Sequence, residues 1–224
     1  DTQTYRLEIE ERGPLSVTLK ATGWFRDETG KGFCQFITRL QVFAGQRHIK
    51  VTPTFIYTGF PANRYHFKHE GLTLPENETI QAIDLTFPLV LSGKLTARLG
   101  DEAGVFEGIV TEPLLLLQRS HDAFELRGLP SGNQTGRRAI GWAQFADPRH
   151  GASVVVRDFW QQYPKALRVD PKESALVVSL WPEQAGELDL QTTSAAFGPD
   201  AVARGSAYGL AKTHELIVNF HPAG

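Results

Sequence analysis

No methionine occurs in this chain, and cysteine occurs once, at Cys34. A single thiol excludes an internal disulfide and any thiolate metal cluster. Lying inside the strand-like stretch FCQFITRLQVF, Cys34 reads as a small buried apolar residue rather than a nucleophile. No stretch approaches the roughly 18 consecutive apolar residues that a membrane-spanning helix needs, so no membrane partner is expected. Charge of one sign is also lacking: 23 Lys and Arg face 25 Asp and Glu, for a net charge of -2. The basic residues are scattered rather than gathered into a stripe, which makes nucleic acid a poor partner. Neither GxSxG, GxGxxG after a strand, a P-loop nor HExxH is present, so serine-hydrolase, dinucleotide, nucleotide and zincin chemistry lose support. No cofactor is expected.

Helical periodicity is nearly absent. The best candidate, RDFWQQYPKAL, contains Pro164 and has room for only a turn or two. What the chain has instead is short alternating segments. YRLEIE places Tyr5, Leu7 and Ile9 on one side; PLSVTLKA places Leu15, Val17, Leu19 and Ala21 on one side. FCQFITRLQVF and HIKVTPTFIYTG, separated by AGQR, read as a hairpin, with Pro53 marking an edge or a bulge in its second arm. Further strands are expected in TIQAIDLTFPLVLSG, KLTARLG, VFEGIV, PLLLLQRS, AFELRG, RRAIGWAQFAD, ASVVVRDFW, ALVVSLWP and HELIVNF, with turns at SGNQTG, ADPRHG and VDPKES. Many strands without interleaved helices predict an all-β chain. The expected architecture is one large antiparallel β-sandwich of the supersandwich kind over residues 1–224, with a barrel-like subregion as an option. A weak boundary falls in LPSGNQTGRR, residues 129–138, read as a long loop of the sandwich in preference to a domain junction.

Two stretches carry candidate chemistry. In KTHELIVNF a period of two puts Lys212 and His214 on the face that bears Leu216, Val218 and Phe220, with Thr213 and Glu215 pointing the other way as supporting residues. A lysine and a histidine can perform acid–base chemistry or hold a carboxylate, and a strand entering its sheet from solvent gives the same pattern. In VVVRDFWQQYPKAL, continued alternation puts Val154, Val156, Asp158 and Trp160 on one face and Val155, Arg157 and Phe159 on the other. Aromatic rings beside Arg157, Gln161, Gln162, Tyr163 and Lys165 suit a sugar, whose C–H faces pack on rings while its hydroxyls and carboxylates take amide and cationic donors. A Trp and Phe plugging the core would look alike. His66 and His69 in HFKHEG fit neither strand nor helix ligand spacing, so no metal site is expected there. Asn77-Glu78-Thr79 and Asn133-Gln134-Thr135 fit the glycosylation pattern, which matters only in a eukaryote.

The order RDFWQQYPKALRVD, then ALVVSLWPEQAGELDL, then GLAKTHELIVNF resembles the exo-rhamnogalacturonan lyase family, also called YetA-like. ERGPLSVTLKATGWF and ITRLQVFAGQRHIKVTPTFIYTG resemble the earlier β region of that family, whereas residues 60 to 135 match it loosely. The resemblance implies a β portion, excised from a larger protein, that acts with a C-terminal α/α toroid on acidic rhamnose-containing polysaccharide. It implies a secreted or periplasmic location and an isolated segment without lyase activity. It also implies catalytic Lys212 and His214 and substrate-binding Arg157, Trp160, Tyr163 and Lys165 in a cleft completed by the toroid. The chain opens DTQTYRLEIE, with neither an initiator methionine nor an apolar leader, in keeping with a processed or excised segment. Three other readings remain. One is a carbohydrate-binding module with Trp24, Trp142, Trp160 or Trp181 as stacking platforms. Another is a structural spacer. The third is a mutarotase-like epimerase, which would need a His and a Glu converging in one cleft.

Overall fold

Sixteen strands, each paired with an antiparallel neighbour in a ladder of three residues or more, follow one another in the computed structural model, which describes residues 5–26, 32–58, 79–190 and 209–222. In chain order they are β1 Tyr5–Arg12, β2 Ser16–Arg26, β3 Gly32–Phe43, β4 His48–Ile56, β5 Ile83–Pro88, β6 Thr96–Asp101, β7 Val105–Ile109 and β8 Leu114–Ser120. They continue as β9 Ala123–Arg127, β10 Gln134–Gly136, β11 Ala139–Ala146, β12 His150–Val156, β13 Lys165–Asp170, β14 Ala175–Trp181, β15 Ala211–Thr213 and β16 Leu216–Pro222. Glu183–Ala185 forms a single 3₁₀ turn.

These strands build two sheets. The larger runs β1-β2-β3-β4-β16-β12-β11-β6-β7, with β15 also on β4; the smaller runs β10-β9-β8-β13-β14-β5. Both are open at their ends, and among the described strands no barrel closes. Every ladder is antiparallel, as a chain of short alternating strands requires. The predicted hairpin of β3 and β4 is present in the expected register, Leu40 opposite Val51. HFKHEG and Asn77 lie outside the described residues.

The core lies between the sheets. Leu116, Leu126, Leu167, Val169, Leu176 and Val178 of the smaller sheet meet Ala143, Phe145, Ala152, Val154, Val156, Leu216 and Val218 of the larger one. β14 is buried almost throughout, so ALVVSLW reads as an unbroken apolar run, in contrast to the alternation of β5. Residues 129–138 carry β10 and cross from the smaller sheet to β11 of the larger. The crossing is pinned by Gln118, which is fully buried. Its Nε2 donates to the carbonyls of Ser120 (2.6 Å), Ala123 (3.3 Å) and Arg137 (2.9 Å), and its Oε1 accepts from Ala139 N (2.8 Å).

Pro53 does not lie at a sheet edge. β4 is an interior strand, with Pro53 opposite Thr38 of β3 on one side and accepting His214 N–H at 2.9 Å on the other. In an antiparallel ladder a residue's N–H and C=O point to the same neighbour. The missing Pro53 donor therefore faces His214, and the ladder breaks there. Thr213 pairs with Thr54 and Leu216 with Val51, so β15 and β16 are one strand in register, opened for two residues at His214 and Glu215.

The strand expected over ASVVVRDFW ends at Val156, earlier than predicted. Asp158 adopts a left-handed backbone (φ 53), and Gln162 N–H bonds back to its carbonyl at 2.9 Å, closing a turn. The alternation therefore fails beyond Arg157. Phe159 enters the core, against Gly141, where a Cβ would come 2.2 Å from Phe159 Cβ and where φ is +86. No side chain but hydrogen fits that position.

Candidate functional site: a lysine-lined cavity at one mouth of the sandwich

The inner face of β13 runs Lys165, Leu167, Val169, and the inner row of β15 and β16 runs Lys212, His214, Leu216, Val218. Each row starts with polar side chains at the same end of the sandwich, and the two sheets bring them together. They line a cavity of about 270 Å³, closed further by Phe55, Ile83, Gln162, Tyr163, Leu180 and Trp181. The break opposite Pro53 is what leaves His214 at the wall of this space.

Lys165 is the unusual group. It is only 1 % exposed, and among the described residues no carboxylate pairs with it. Among the described residues no Asp or Glu lines the cavity either. Burial, helped by the nearby Lys212 ammonium, pushes the Lys165 amine down to about 7. His214 is buried as well. Burial first, then the positive fields of Lys165 and Lys212, bring its imidazole down to about 3. At neutral pH it is therefore an uncharged ring. Its Nδ1 is enclosed and has no hydrogen-bond partner, and the same holds for Gln162 Oε1. Lys212 lies exposed at the rim. Two lysine amines, a neutral imidazole and an open amide oxygen converge on a space that no acid among the described residues lines. An uncompensated cation out of water is costly, and a bound anion relieves that cost.

Supporting contacts lie on the opposite face. Glu215 binds Lys50 at 2.7 Å and Arg157 at 3.6 Å, and the Thr213 and Thr54 hydroxyls meet at 2.8 Å. Thr213 and Glu215 thus hold the strand from behind, as the alternation predicts.

Of the six residues singled out in the sequence, four line the cavity: Lys212, His214, Tyr163 and Lys165. Arg157 and Trp160 do not. Arg157 is exposed and paired with Glu215 and Asp158, because alternation past buried Val156 turns it to the outer face that carries Val155 and Ile217. Trp160 lies beneath the Arg138 guanidinium, 4.2 Å from its ring centroid. Among the tryptophans, Trp181 lines the cavity, its Nε1–H bound to Gly186 O at 2.8 Å. Trp142 instead packs flat over Gly100, where a Cβ would lie 2.2 Å from its Nε1. Sequence reasoning did not assign Gln162 or Trp181 to the same site as Lys212. For Gln162 the one signal is its place beside Tyr163 and Lys165 in the stretch already read as suited to a sugar. Among the described residues no group of three or more His, Cys, Asp or Glu is placed to hold a metal ion.

Residues 116–223 match the family model of the PcRGLX-like protein central beta sandwich domain, a rhamnogalacturonan lyase-related family. The matched span includes the RDFW, LWPE and AKTHE segments; the earlier strands, on which the sequence resemblance also drew, lie outside it. No curated protein matches the chain. Two solved structures are similar over nearly its whole length. One is an Escherichia coli K12 protein whose name assigns it provisionally to the aldose 1-epimerases; it is 13% identical over 96% of this chain and 68% of that one, with a TM-score of 0.40. The other is a galactose mutarotase related enzyme from Lactobacillus acidophilus, 10% identical over 97% of this chain and 71% of that one, with a TM-score of 0.37.

Proposed function

We propose that this chain is the β-sandwich segment of a polysaccharide-lyase-like protein and that its cavity receives the carboxylate of a uronate unit in an acidic, rhamnose-containing polysaccharide. The observation that carries this reading is the buried Lys165 amine, unpaired with any acid among the described residues, facing the same space as Lys212 and His214. The family match over residues 116–223 supports it. In this reading the cavity is one wall of a cleft that an adjoining α/α domain completes.

The chemistry follows from the groups present. β-Elimination next to a uronate needs a cation on the carboxylate, which acidifies the C5 proton, a base for that proton and an acid for the departing oxygen. Lys165 and Lys212 neutralise the carboxylate. The neutral His214 imidazole accepts the C5 proton; its electron pair becomes the C4–C5 double bond as the C4–O bond breaks. The Tyr163 phenol, also on the cavity wall, is the proton donor at hand for the leaving oxygen. Burial holds His214 low first and the positive fields of Lys165 and Lys212 second; a bound carboxylate offsets those fields, so substrate itself raises the basicity of the ring.

An epimerase would need a carboxylate beside the histidine, and the described walls of the cavity offer none. Titration calorimetry with D-galacturonate, and with D-galactose as the neutral control, tests the reading. Lys165→Met and Lys212→Ala should each weaken galacturonate binding about tenfold or more, with galactose binding weakly or not at all throughout. Equal affinity for the two sugars, or galacturonate binding indifferent to both substitutions, would sink it. In a protein that carries the adjoining domain, His214→Ala should abolish formation of unsaturated product, followed by absorbance, while galacturonate binding persists.

A further inference from the structure

The inner row that opens with Lys212 and His214 ends with Phe220, and the far mouth of the sandwich is also hollow. A cleft of about 610 Å³ lies there, lined by Arg47, Arg149, His150, His221, Phe220 and Val90 among others. At the rise of an antiparallel strand, Phe220 at its edge is about 20 Å from His214. None of its lining residues belongs to the cavity described above.

Its chemistry is two-sided. Phe220 is 44 % exposed although it continues the core row of Leu216 and Val218, and Val90 beside it stands almost fully in solvent. They form an apolar floor of the sort that packs on the C–H face of a pyranose. Arg47 and Arg149 supply two guanidinium groups. Among the described residues neither is paired with a carboxylate; Arg149 donates only to Ser92 Oγ, at 2.8 Å, which steadies it. Asp147, 3.4 Å from His150 Nδ1, has its oxygens occupied in accepting the backbone N–H groups of Ser92, Arg149 and His150. His150 donates its Nε2–H to Val90 O at 2.8 Å, tying the loop after β5 to β12. His221 Nδ1 meets Pro222 O at 2.9 Å, and because a carbonyl only accepts, the proton is on Nδ1. Its Nε2 is then a bare acceptor, enclosed and without a partner. A sugar hydroxyl satisfies such an acceptor, and a planar guanidinium matches a carboxylate.

We propose that this cleft is a second saccharide site, which takes a carboxylated sugar by its ring face on Phe220 and by its acid group on Arg47 and Arg149. The ligand class comes from the groups in the cleft and holds whether or not the first cavity acts as argued above. Two such sites at opposite mouths of one sandwich would let the chain hold an acidic polysaccharide at separated points.

Amide and side-chain NMR of the 224-residue chain, titrated with trigalacturonate, tests the proposal at the residue level. Signals of Arg149, His150 and Phe220 should shift, while neutral galactotriose leaves them in place. The Arg47→Gln, Arg149→Gln double variant should lose this response, with midpoint affinity down about tenfold or more. Arg149→Lys, which keeps the charge and loses the planar fork, should fall between, and this guards against a folding defect. Lys165→Met should leave the response intact. Absence of shifts at Phe220 and Arg149 at millimolar trigalacturonate overturns the proposal. So does persistence of the response in the double variant, or an equal response to sulfate alone. Loss of the Arg149 and Phe220 response in Lys165→Met would likewise overturn the proposal of an independent second site.

Discussion

Lys165 shows how much of one residue's setting a local pattern leaves open. Alternation in KALRV puts it on the core face with Leu167 and Val169, yet its neighbours Gln161, Gln162 and Tyr163 make the stretch look like a polar loop. Only the facing strand, contributed by residues far away in sequence, turns an edge lysine into a cavity wall. His214 and Lys212 were legible because their own strand carries the pattern. Arg157 and Trp160 lie outside the cavity for different reasons: alternation itself turns Arg157 outward with Val155, whereas the left-handed backbone of Asp158 ends the pattern before Trp160. The cost of burying Lys165 has a measurable sign. Its folded value of about 7 lies below the ordinary lysine value of 10.5, so the unfolded chain holds more protons between those pH values. Stability therefore falls as pH drops through that window, by at most about 1.4 kcal/mol per unit. Lys165→Met should be more stable than the parent at pH 7, and the difference between the two should vanish by about pH 11. Urea denaturation at a series of pH values reads both. His214 adds a second decline, between pH 6.5 and about 3, that His214→Phe should remove.

At the level of elements, the sequence marked Pro53 as a disturbance and left its position open. An edge and an interior strand with a broken partner ladder both tolerate proline, and only the location of β16 between β4 and β12 decides. The crossing at residues 129–138 was equally ambiguous. Gln118 is what ties it down, since one buried amide serves three carbonyls and a backbone N–H. Gln118→Leu keeps the volume and removes every one of these bonds. It should cost about 3 kcal/mol, because buried backbone groups lose their partners, and the loss should appear in chemical denaturation with the fold retained by far-ultraviolet circular dichroism.

Across the whole molecule, an all-β sandwich was legible from strand spacing alone, whereas the membership of each sheet was not. Neighbours such as β4 and β16 are more than a hundred residues apart in sequence, and period-two patterns carry no address. The assembled sandwich is lopsided. The smaller sheet covers the larger from β4 to β6, while β1, β2 and β3 continue beyond it, their inner row passing from buried Val51 through half-buried Leu40 and Leu19 to Ile9, 59 % exposed. Local opening should follow that gradient. Hydrogen exchange should be fastest in β1, slower in β3, and slowest in β13 and β14, and comparable protection across all of them would contradict the layering described.

The end of that overhang has one more consequence. β1 is the outermost described strand of its sheet, and a bare rim of amide groups is a template on which a second chain can crystallise into fibre. Its sequence answers with charge: Arg6, Glu8, Glu10 and Arg12 alternate with Leu7, Ile9 and Glu11, and Glu10 is clasped by Arg39 at 2.6 Å. In the antiparallel register that centres two copies of this strand on Ile9, Arg6 meets Arg12 and Glu8 meets Glu10, so like charge faces like and that pairing is disfavoured.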